Sequence, residues 1–338
     1  MKKSRVLLTS CGGPLSWAFQ KDFQQRSDCQ IFFGDANPQA PAKNWVKDFL
    51  PLLPAMDQDY GEHLLGLARH HDIDLIIPGA DEEALALMSE QKRFKEAGIM
   101  LAVQDDSILS YFRSKSRMYD HLKSKGFPVP AYRTFTTPGE LEAALKEFDY
   151  PRRPLLVKPN SGRGGRGIAI VAERIVPSKD DLHQFNRSLL EQWIDGKTEF
   201  LLMEYLAGDI FDIDVLTYAQ GSVFFGMRRR LTNVTKLFSG NLFELNEQID
   251  ALAKSLYKIF PTRFLIDYDV MWTTDGKAVL LEVNPRPSGS TISYLPFGIN
   301  LYYVLLKSYL CGEHQIPHNH FQGKKASVTF GIVAGENG

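Results

Sequence analysis

The apolar residues of the N-terminal third of the chain fall into short unbroken runs separated by helical patterns. Such runs cover residues 5–10, 29–35 and 74–77. Runs without polar alternation are typical of parallel strands buried on both faces, with the intervening helices as the cover. Gly12 and Gly13 follow the first run and predict a tight turn into a helix rather than a nucleotide site, because the GxGxxG spacing is incomplete. The pattern therefore predicts an α/β domain with a parallel sheet.

The pattern changes in the remaining two thirds of the chain. A helical pattern over residues 114–126 ends at Gly126, with Pro128 and Pro130 behind it. Residues 155–159 and 168–171 are predicted as strands flanking a glycine-rich loop, and residues 199–230 alternate as antiparallel strands do. Helices are predicted over 248–260 and about 300–310, and a last strand over 325–335. Antiparallel strands thus follow the parallel ones.

Composition and charge exclude several classes of partner. The 338 residues include 39 Lys and Arg against 40 Asp and Glu, a net charge of −1, so no global field attracts nucleic acid or an acidic membrane. No stretch approaches the ~18 apolar residues of a membrane span. Cys11, Cys29 and Cys311 lie far apart without CxxC spacing, which favours a reducing, cytoplasmic setting. We therefore expect neither nucleic acid nor a membrane as a partner.

The glycine-rich loop begins just after a cation at the end of an apolar strand, Lys158. Its glycines and arginines are Gly162, Arg163, Gly164, Gly165, Arg166 and Gly167. Glycines let backbone N–H groups form an anion cradle. In a Walker A loop the lysine follows the glycines and opens a helix, whereas here it precedes them and closes a strand. The segment predicts a strand–loop–strand flap over phosphates; the alternative is a flexible hairpin with solubilising arginines.

An acidic hairpin is predicted over residues 265–290. Asp275-Gly276 between two apolar runs is a strong signal for a two-residue turn. If Thr274 and Lys277 close that turn, Asp269 lies opposite Glu282, and Asp267 lies opposite Asn284. Period-two alternation places these four polar side chains on one face, together with Ala278 and Leu280.

Carboxylates gathered on one face of a hairpin repel each other unless a cation lies between them. The candidate ligands are hard oxygens without His or Cys, which points to Mg²⁺ or Mn²⁺. The predicted metal ligands are Asp269, Glu282 and Asn284. The alternative is that these groups are solvated acids on the outer face of the hairpin.

A lysine before a glycine flap, followed by a carboxylate hairpin ending in E-x-N-P-R, resembles the ATP-grasp superfamily. The resemblance covers nearly the whole chain and is greatest to one ATP-binding half of the carbamoyl-phosphate synthase large subunit. It implies a Rossmann-like domain over residues 1–108 and an α+β ATP-grasp module of two subdomains. The small subdomain, with the glycine flap, would cover 109–202, and the large subdomain, with the metal hairpin, 203–338.

The same resemblance implies roles for single residues. The phosphates of ATP would be held by Lys115, Lys158 and the flap from Ser161 to Gly167. Glu204 would accept a hydrogen bond from the adenine amino group, beside Tyr205 and Leu206 in the hinge. Ile210 stands where relatives have a ribose-binding glutamate, which leaves Asp209 or Asp212 as substitutes. The catalytic residues would be Lys158, Arg230 and Arg286. On a strand, Arg228 and Arg230 share a face and Arg229 points away.

The implied activity is that of an ATP- and Mg²⁺-dependent carboxylate–amine ligase. The γ-phosphoryl group of ATP would pass to a substrate carboxylate, and an amine would attack the acyl phosphate to give an amide. The arginines suggest an amino-acid-like substrate, and family members are often homodimers. Two alternatives stay open: a single-module enzyme acting on bicarbonate or carbamate, and a non-catalytic ATP-binding regulator.

Overall fold

The computed structural model describes residues 3–13, 15–161, 167–176, 182–231, 240–317 and 321–327. Its first sheet has five parallel strands in the order β3-β2-β1-β4-β5. The strands are β1 Ser4–Leu8, β2 Cys29–Asp35, β3 Phe49–Pro51, β4 Leu75–Ile77 and β5 Met100–Leu101. The helices around them are α1 Ser16–Gln24, α2 Tyr60–His70, α3 Asp81–Ala86 and α4 Gln91–Glu96. The predicted parallel-sheet domain is confirmed.

This first sheet is buried on both faces, as its unbroken apolar runs predict. Leu7 of β1 packs into a cluster with Leu64 and Leu65 of α2. Its neighbours Val6 and Leu8 point the other way, into a cluster that extends to residues near the C-terminus. The N-terminal sheet is thereby packed directly against the last part of the chain.

The second sheet contains the strands that precede and follow the glycine-rich loop in the sequence, with strand order β6-β10-β7-β8-β9. Its strands are β6 Tyr132–Phe135, β7 Leu155–Pro159, β8 Ala169–Val171, β9 His183–Phe185 and β10 Phe200–Glu204. Two helices precede it and two lie within it, namely α5 Asp106–Phe112, α6 Lys115–Ser124, α7 Pro138–Glu147 and α8 Arg187–Glu191. β7 and β8 pair antiparallel, so the predicted strand–loop–strand arrangement is confirmed. Gly162, Gly164 and Gly165 lie outside the described residues.

The third sheet has the strand order β15-β14-β11-β12-β13-β16, with antiparallel neighbours. Its strands are β11 Gly208–Thr217, β12 Val223–Arg230, β13 Gly240–Leu242, β14 Phe264–Thr273, β15 Ala278–Asn284 and β16 Lys325–Ser327. The helices α9 Glu247–Ile259 and α10 Leu301–Cys311 and the 3₁₀ segment Gly289–Phe297 complete it. Beyond Ser327 the predicted last strand lies outside the described residues. Among the helices that the structure describes, none combines the length and the apolar character of a membrane crossing.

Helix α6 packs on the third sheet, although the second sheet follows it in the chain. Met118, Tyr119 and Leu122 join the cluster that contains Ile266 and Leu280. The start of α6 is capped by Ser114, whose side chain accepts a hydrogen bond from the Arg117 N–H. The cap and the packing together fix the orientation of Lys115, the first residue of the helix.

The acidic hairpin has the predicted acid pairs but a different turn. Asp269 lies opposite Glu282 and Asp267 opposite Asn284, as predicted. The closing pair Thr274–Lys277 is wrong, because Thr273 donates its backbone N–H to the Lys277 carbonyl at 2.9 Å. Gly276 then occupies a left-handed conformation at φ 78°, inside a three-residue loop.

A β-bulge reconciles that turn with the acid pairs. Val270 pairs with Leu280 while Asp269 pairs with Glu282, so Leu281 is an extra residue on β15. The extra residue also interrupts the alternation, and Leu280 joins the same apolar cluster as Val283. The predicted common face of Leu280 with Glu282 is therefore wrong, since period two does not continue through a bulge.

Candidate active site

Three carboxylates converge on one face of the third sheet. Asp212 on β11 lies directly opposite Asp269 on β14, and Asp214 lies opposite Asp267. Asp212, Asp267 and Asp269 each offer an oxygen within 4.8 Å of the others. Asp212, Asp214 and Asp267 are buried. The alternation of two adjacent strands thus gathers negative charge at one place in the interior.

Two arginines of β12 neutralise part of this charge. Arg228 binds both carboxylate oxygens of Asp214, through Nε at 2.7 Å and Nη2 at 2.9 Å. Arg230 Nη2 lies 2.5 Å from Asp212 Oδ1 and 2.9 Å from Asp269 Oδ1. Arg229 instead pairs with Glu244 at 2.7 Å, so the predicted common face of Arg228 and Arg230 is confirmed.

The two arginines differ in their access to solvent. Arg228 is fully buried, and its Nη1 also donates to Asn241 Oδ1 at 2.8 Å and to Ser290 Oγ at 2.7 Å. Arg230 stands at the accessible edge of the cluster, with its side chain 29% exposed. Arg230 is therefore the arginine of this pair that a ligand can reach.

The pKa values of Asp267 and Asp212 are shifted in opposite directions by their surroundings. Burial raises the pKa of Asp267 well above its usual value, and the neighbouring Asp269 and Asp212 raise it further. Burial would also raise the pKa of Asp212, but Arg230 and Arg228 outweigh it and lower that pKa. Asp212 is therefore held ionised, whereas the opposing effect of Arg228 on Asp267 is smaller than the effects of burial and of the neighbouring acids.

The two predicted phosphate lysines face this acidic hairpin from α6 and β7. Lys115 Nζ lies 2.9 Å from Glu282 Oε1. Lys158 is buried, and its Nζ lies within hydrogen-bonding distance of the Tyr119 hydroxyl at 3.3 Å and the Leu281 carbonyl at 3.4 Å. Burial lowers the pKa of Lys158, against the opposite effect of Glu282 and Asp269. Both lysines are therefore positioned by contacts to the hairpin.

The β-bulge supplies the carbonyl that holds Lys158. The Leu281 carbonyl also accepts a hydrogen bond from the Tyr119 hydroxyl at 2.5 Å. Neither Leu281 nor Tyr119 was predicted as part of the site. Tyr119 follows Lys115 by four residues on α6, and that spacing places the two side chains on one helix face, which was an available signal.

A chain of polar contacts joins the hairpin to the N-terminal sheet. Asn284 Nδ2 donates to Asp267 Oδ2 at 3.1 Å, and Arg286 Nη2 donates to Asn284 Oδ1 at 3.4 Å. Arg286 Nε lies 3.0 Å from Asp81 Oδ1 at the start of α3. Asp81 was not predicted as part of the site. Its contact with Arg286 makes the N-terminal domain one wall of the site.

The predicted hinge lies at the end of β10. Glu204 Oε1 accepts the Ala131 N–H at 2.8 Å, and the Glu204 N–H donates to the Ala131 carbonyl at 3.0 Å. Tyr205 and Leu206 follow, both half-buried. Ser161, before the flap, donates its hydroxyl to the Arg113 carbonyl at 3.1 Å.

The two candidates for the ribose contact lie in different surroundings. Asp209 Oδ2 is 3.6 Å from Arg229 Nη1, away from the acid cluster. Asp212 is buried within the cluster and also accepts from Asn241 and Ser290. The ribose contact of either residue stays a prediction.

Two family models match the chain, one in its N-terminal third and one in its C-terminal half. The family model described as "PylC-like, N-terminal domain" matches residues 6–102. The model described as "ATP-grasp in the biosynthetic pathway with Ter operon" matches residues 197–329. The first match coincides with the parallel-sheet domain, and the second includes the acid cluster and the hairpin.

Curated relatives match over longer stretches at low identity. D-alanine--D-alanine ligase from Bacillus anthracis is 26% identical over 185 residues, which is 52% of this chain and 57% of the relative. The carbamoyl phosphate synthase large chain from Pseudothermotoga lettingae is 20% identical over 300 residues, 84% of this chain and 25% of the relative. The chain thus spans less than two thirds of the length of either protein.

A solved structure supports the same fold over nearly the whole chain. The ADP complex of N5-carboxyaminoimidazole ribonucleotide synthetase superposes with a TM-score of 0.69 at 16% identity. The superposition covers 96% of this chain and 79% of that one. The resemblance to the ATP-grasp superfamily that the lysine, glycine flap and E-x-N-P-R hairpin indicate is confirmed, because an ATP-grasp family model matches residues 197–329 and the relatives and the fold agree with it.

Proposed function

We propose that the protein is an ATP- and Mg²⁺-dependent carboxylate–amine ligase that forms an amide through an acyl phosphate. One observation carries the proposal: three cations meet at the acidic hairpin, where Lys115 contacts Glu282, Lys158 contacts the Leu281 carbonyl and the accessible Arg230 contacts Asp269. Such a set of cations beside hard oxygen ligands suits a nucleotide triphosphate with its divalent ion. The relatives named above include a protein solved with ADP.

The hairpin residues suit the ion that this reaction requires. Asp269, Glu282 and Asn284 offer only oxygen donors of the kind that Mg²⁺ prefers. Two of them are held by cations, Glu282 by Lys115 and Asp269 by Arg230. Bound with the nucleotide, Mg²⁺ would supply charge neutralisation at the β- and γ-phosphates. The cations that now hold Glu282 and Asp269 would then become available to phosphate oxygens.

The chain's own part in the reaction is electrostatic. The bond between the γ-phosphorus and the ADP oxygen breaks as the phosphorus bonds to a carboxylate oxygen of the substrate. Lys158 and Arg230 would stabilise the charge on the transferring group. The amine nitrogen then attacks the acyl carbon, inorganic phosphate leaves, and the nitrogen loses a proton. No side chain acts as a nucleophile in this scheme. The site has to bind the substrates, orient them and exclude water.

The test is release of ADP and phosphate from Mg²⁺-ATP with a panel of amino acids, singly and in pairs. Bicarbonate with ammonia is assayed in parallel, and products are identified by mass. Release that requires a carboxylate and an amine together, with a condensed product, supports the ligase. Release with bicarbonate alone favours the carbamate alternative. Bound ATP without release across the panel contradicts the ligase and favours a nucleotide-binding regulator.

A further inference from the structure

Asn160 is a buried polar residue that joins the two elements carrying the predicted phosphate lysines. It follows Lys158 by two residues, just after the end of β7, and contacts the start of α6, whose first residue is Lys115. Only 3% of its surface is exposed. Buried polar groups need hydrogen-bond partners, and Asn160 finds most of them more than 35 residues away in the sequence.

The first turn of α6 depends on Asn160 for two of its hydrogen bonds. The first N–H groups of a helix have no acceptor within the helix. The Asn160 carbonyl accepts the Lys115 N–H at 3.0 Å, and Asn160 Oδ1 accepts the Ser116 N–H at 2.9 Å. The third N–H, that of Arg117, donates to the Ser114 side chain. Protein acceptors thus occupy these three N–H groups, so α6 would contact a phosphate through the Lys115 side chain rather than through its backbone.

The remaining polar groups of Asn160 fix the orientation of its side chain. Oδ1 also accepts from the Ser114 hydroxyl at 3.2 Å, and Nδ2 donates to Ser116 Oγ at 2.8 Å. Nδ2 also donates to the Glu199 carboxylate, and the Asn160 N–H donates to the Glu199 carbonyl at 2.9 Å. The side chain is therefore held between the start of α6 and the residue before β10.

The two lysines are anchored in different ways. The ammonium group of Lys158 has its own contacts, with the Tyr119 hydroxyl and the Leu281 carbonyl. Lys115 lies on a helix that packs on the third sheet, whereas Lys158 belongs to a strand of the second sheet. Asn160 connects the backbone of Lys115 to that strand. Loss of its side chain would loosen the start of α6 and leave the contacts of the Lys158 ammonium group in place.

We propose that Asn160 is a positioning residue, which acts on the nucleotide through Lys115. The proposal rests on the nucleotide site of the function proposed above. Asn160 holds the start of α6 against the end of β7, so that both ammonium groups reach the phosphates of one nucleotide. A cation held in place stabilises a phosphate more than a cation that has to be ordered when the nucleotide binds.

The test is a double-mutant cycle on binding of Mg²⁺-AMPPNP, the β,γ-imido analogue of ATP, measured by isothermal titration. Asn160→Ala should lower the affinity by about tenfold. In the Lys115→Met background the same substitution should lower it by less than about twofold, because no ammonium group is left to position. A residue that contributed to the fold alone would give the same fold-change in both backgrounds, since the effects of independent sites add.

The matched control is Asn246→Ala. Asn246 caps α9 with the same chemistry, because its Oδ1 accepts the N–H groups of Gln248 at 3.0 Å and Ile249 at 3.2 Å. Its helix carries neither of the two phosphate lysines. Both asparagine substitutions should lower the melting temperature, as loss of a helix cap does. Asn246→Ala should leave the affinity for Mg²⁺-AMPPNP within about twofold.

A rescue variant exchanges the acid and the amide of one contact. In Asn160→Asp, Glu199→Gln the new carboxylate can still accept the Ser116 N–H, and the new amide can donate to that carboxylate. The net charge is unchanged. This variant should recover most of the affinity that Asn160→Ala loses, and it also tests the proposal if Asn160→Ala does not fold.

Three results would overturn the proposal. They are equal fold-changes in the two backgrounds, an affinity loss in Asn246→Ala as large as that in Asn160→Ala, and an exchange variant that binds as weakly as Asn160→Ala or, if that variant does not fold, about tenfold more weakly than the wild-type protein. If the cycle is non-additive while no substrate pair releases ADP, Asn160 keeps its role and the ligase proposal fails. If a condensed product forms while the cycle is additive, the ligase stands and Asn160 contributes to the fold alone. A wild-type protein that does not bind Mg²⁺-AMPPNP would contradict both proposals.

Discussion

Lys115 Nζ on α6 lies 2.9 Å from Glu282 Oε1 on β15. The first residue is predicted to hold a phosphate and the second a metal ion. In the structure the two side chains neutralise each other, with 11% and 25% of their surfaces exposed. Binding of Mg²⁺-ATP would therefore exchange one ion pair for two new contacts of the same charge type. If both assignments hold, binding of the metal ion and binding of the nucleotide would depend on each other.

Replacing Glu282 with Gln should have opposite effects on Mg²⁺-dependent ADP release and on ATP binding without Mg²⁺. The amide is a weaker metal ligand, so Mg²⁺-dependent ADP release should fall by more than about 100-fold, the size seen when one group that stabilises transition-state charge is lost. Lys115 would lose its anionic partner, so ATP should bind without Mg²⁺ at least as tightly as it does to the wild-type protein. ADP release and ATP binding in excess chelator measure the two effects.

The matched control for that variant is Glu244→Gln. Glu244 pairs with Arg229 on the opposite face of β12 and is 45% exposed. Its loss should leave ADP release within about twofold. Full Mg²⁺-dependent turnover in Glu282→Gln would contradict the assignment of this hairpin as the metal site.

Replacing Lys158 with Met should weaken nucleotide binding without weakening the fold. The methionine fills the same space but removes a buried cation whose charged form is already disfavoured by burial. We expect ATP affinity to fall by at least about tenfold and the melting temperature to stay level or rise. Isothermal titration and thermal unfolding check the two expectations.

The exposed Lys123 on the same helix as Tyr119 provides the comparison, and Lys123→Met should change neither quantity. A loss of thermal stability in Lys158→Met would show that the lysine contributes more to the fold than to binding. Unchanged ATP affinity would remove it from the nucleotide site.

The Asp-Gly signal and period two predicted the hairpin and its acid pairs, and the pairs are those of the structure. The turn geometry and the bulge at Leu281 were not predictable, since the unbroken apolar run over residues 278–281 does not show where an extra residue lies. The offset of one residue in the turn and the extra residue of the bulge cancel at Asp269 and Glu282. The prediction of the pairs therefore held although its assumed turn was wrong.

Contacts between distant parts of the chain could not be predicted from the sequence pattern. Alternation places Arg228 and Arg230 on one face, but the burial of Arg228 depends on Asn241 and Ser290, which come from β13 and the 3₁₀ segment. The contact of Arg286 with Asp81 likewise needs the N-terminal sheet to pack against the hairpin. Neither relationship has a local signature, because packing between sheets determines both.

Of the contacts in the site, loss of the Arg228–Asp214 ion pair should destabilise the fold most. Both side chains are fully buried, and among the residues that the structure describes Arg228→Met would leave the Asp214 carboxylate with the Tyr294 hydroxyl, at 3.0 Å, as its side-chain partner. Removing one partner of a buried ion pair costs about 3–5 kcal/mol of unfolding free energy. Denaturant unfolding, with its slope compared between variants, measures the cost.

Arg229→Met is the control, because the pair of Arg229 with Glu244 is partly exposed and such pairs contribute about 0–1 kcal/mol. The double variant Arg228→Met, Asp214→Asn should recover part of the loss, since it does not leave Asp214 as a buried charge without its partner. A loss in Arg228→Met no larger than that in Arg229→Met would argue against the buried pair as a structural contact.

Glu83 in the N-terminal domain should make stability depend on pH. Its carboxylate is 5% exposed and accepts hydrogen bonds from the Thr9 hydroxyl at 2.6 Å, the Tyr60 hydroxyl at 3.1 Å and the Gly79 N–H at 3.2 Å. Burial raises the pKa of Glu83 in spite of these three donors. The folded protein therefore binds the proton more tightly than the unfolded chain does.

A raised pKa in the folded state has a definite sign in the linkage relation. The folded state holds more protons between the two pKa values, so the unfolding free energy falls as pH rises from the ordinary value of Glu near 4.5 through the raised one. Glu83→Gln keeps the shape without the titration, and its unfolding free energy should fall less over that window. Denaturant unfolding of both proteins at a series of pH values gives the difference between the two curves. A difference that is flat with pH, or that rises in favour of the wild-type protein, would mean that the three donors outweigh burial and that Glu83 is ionised throughout.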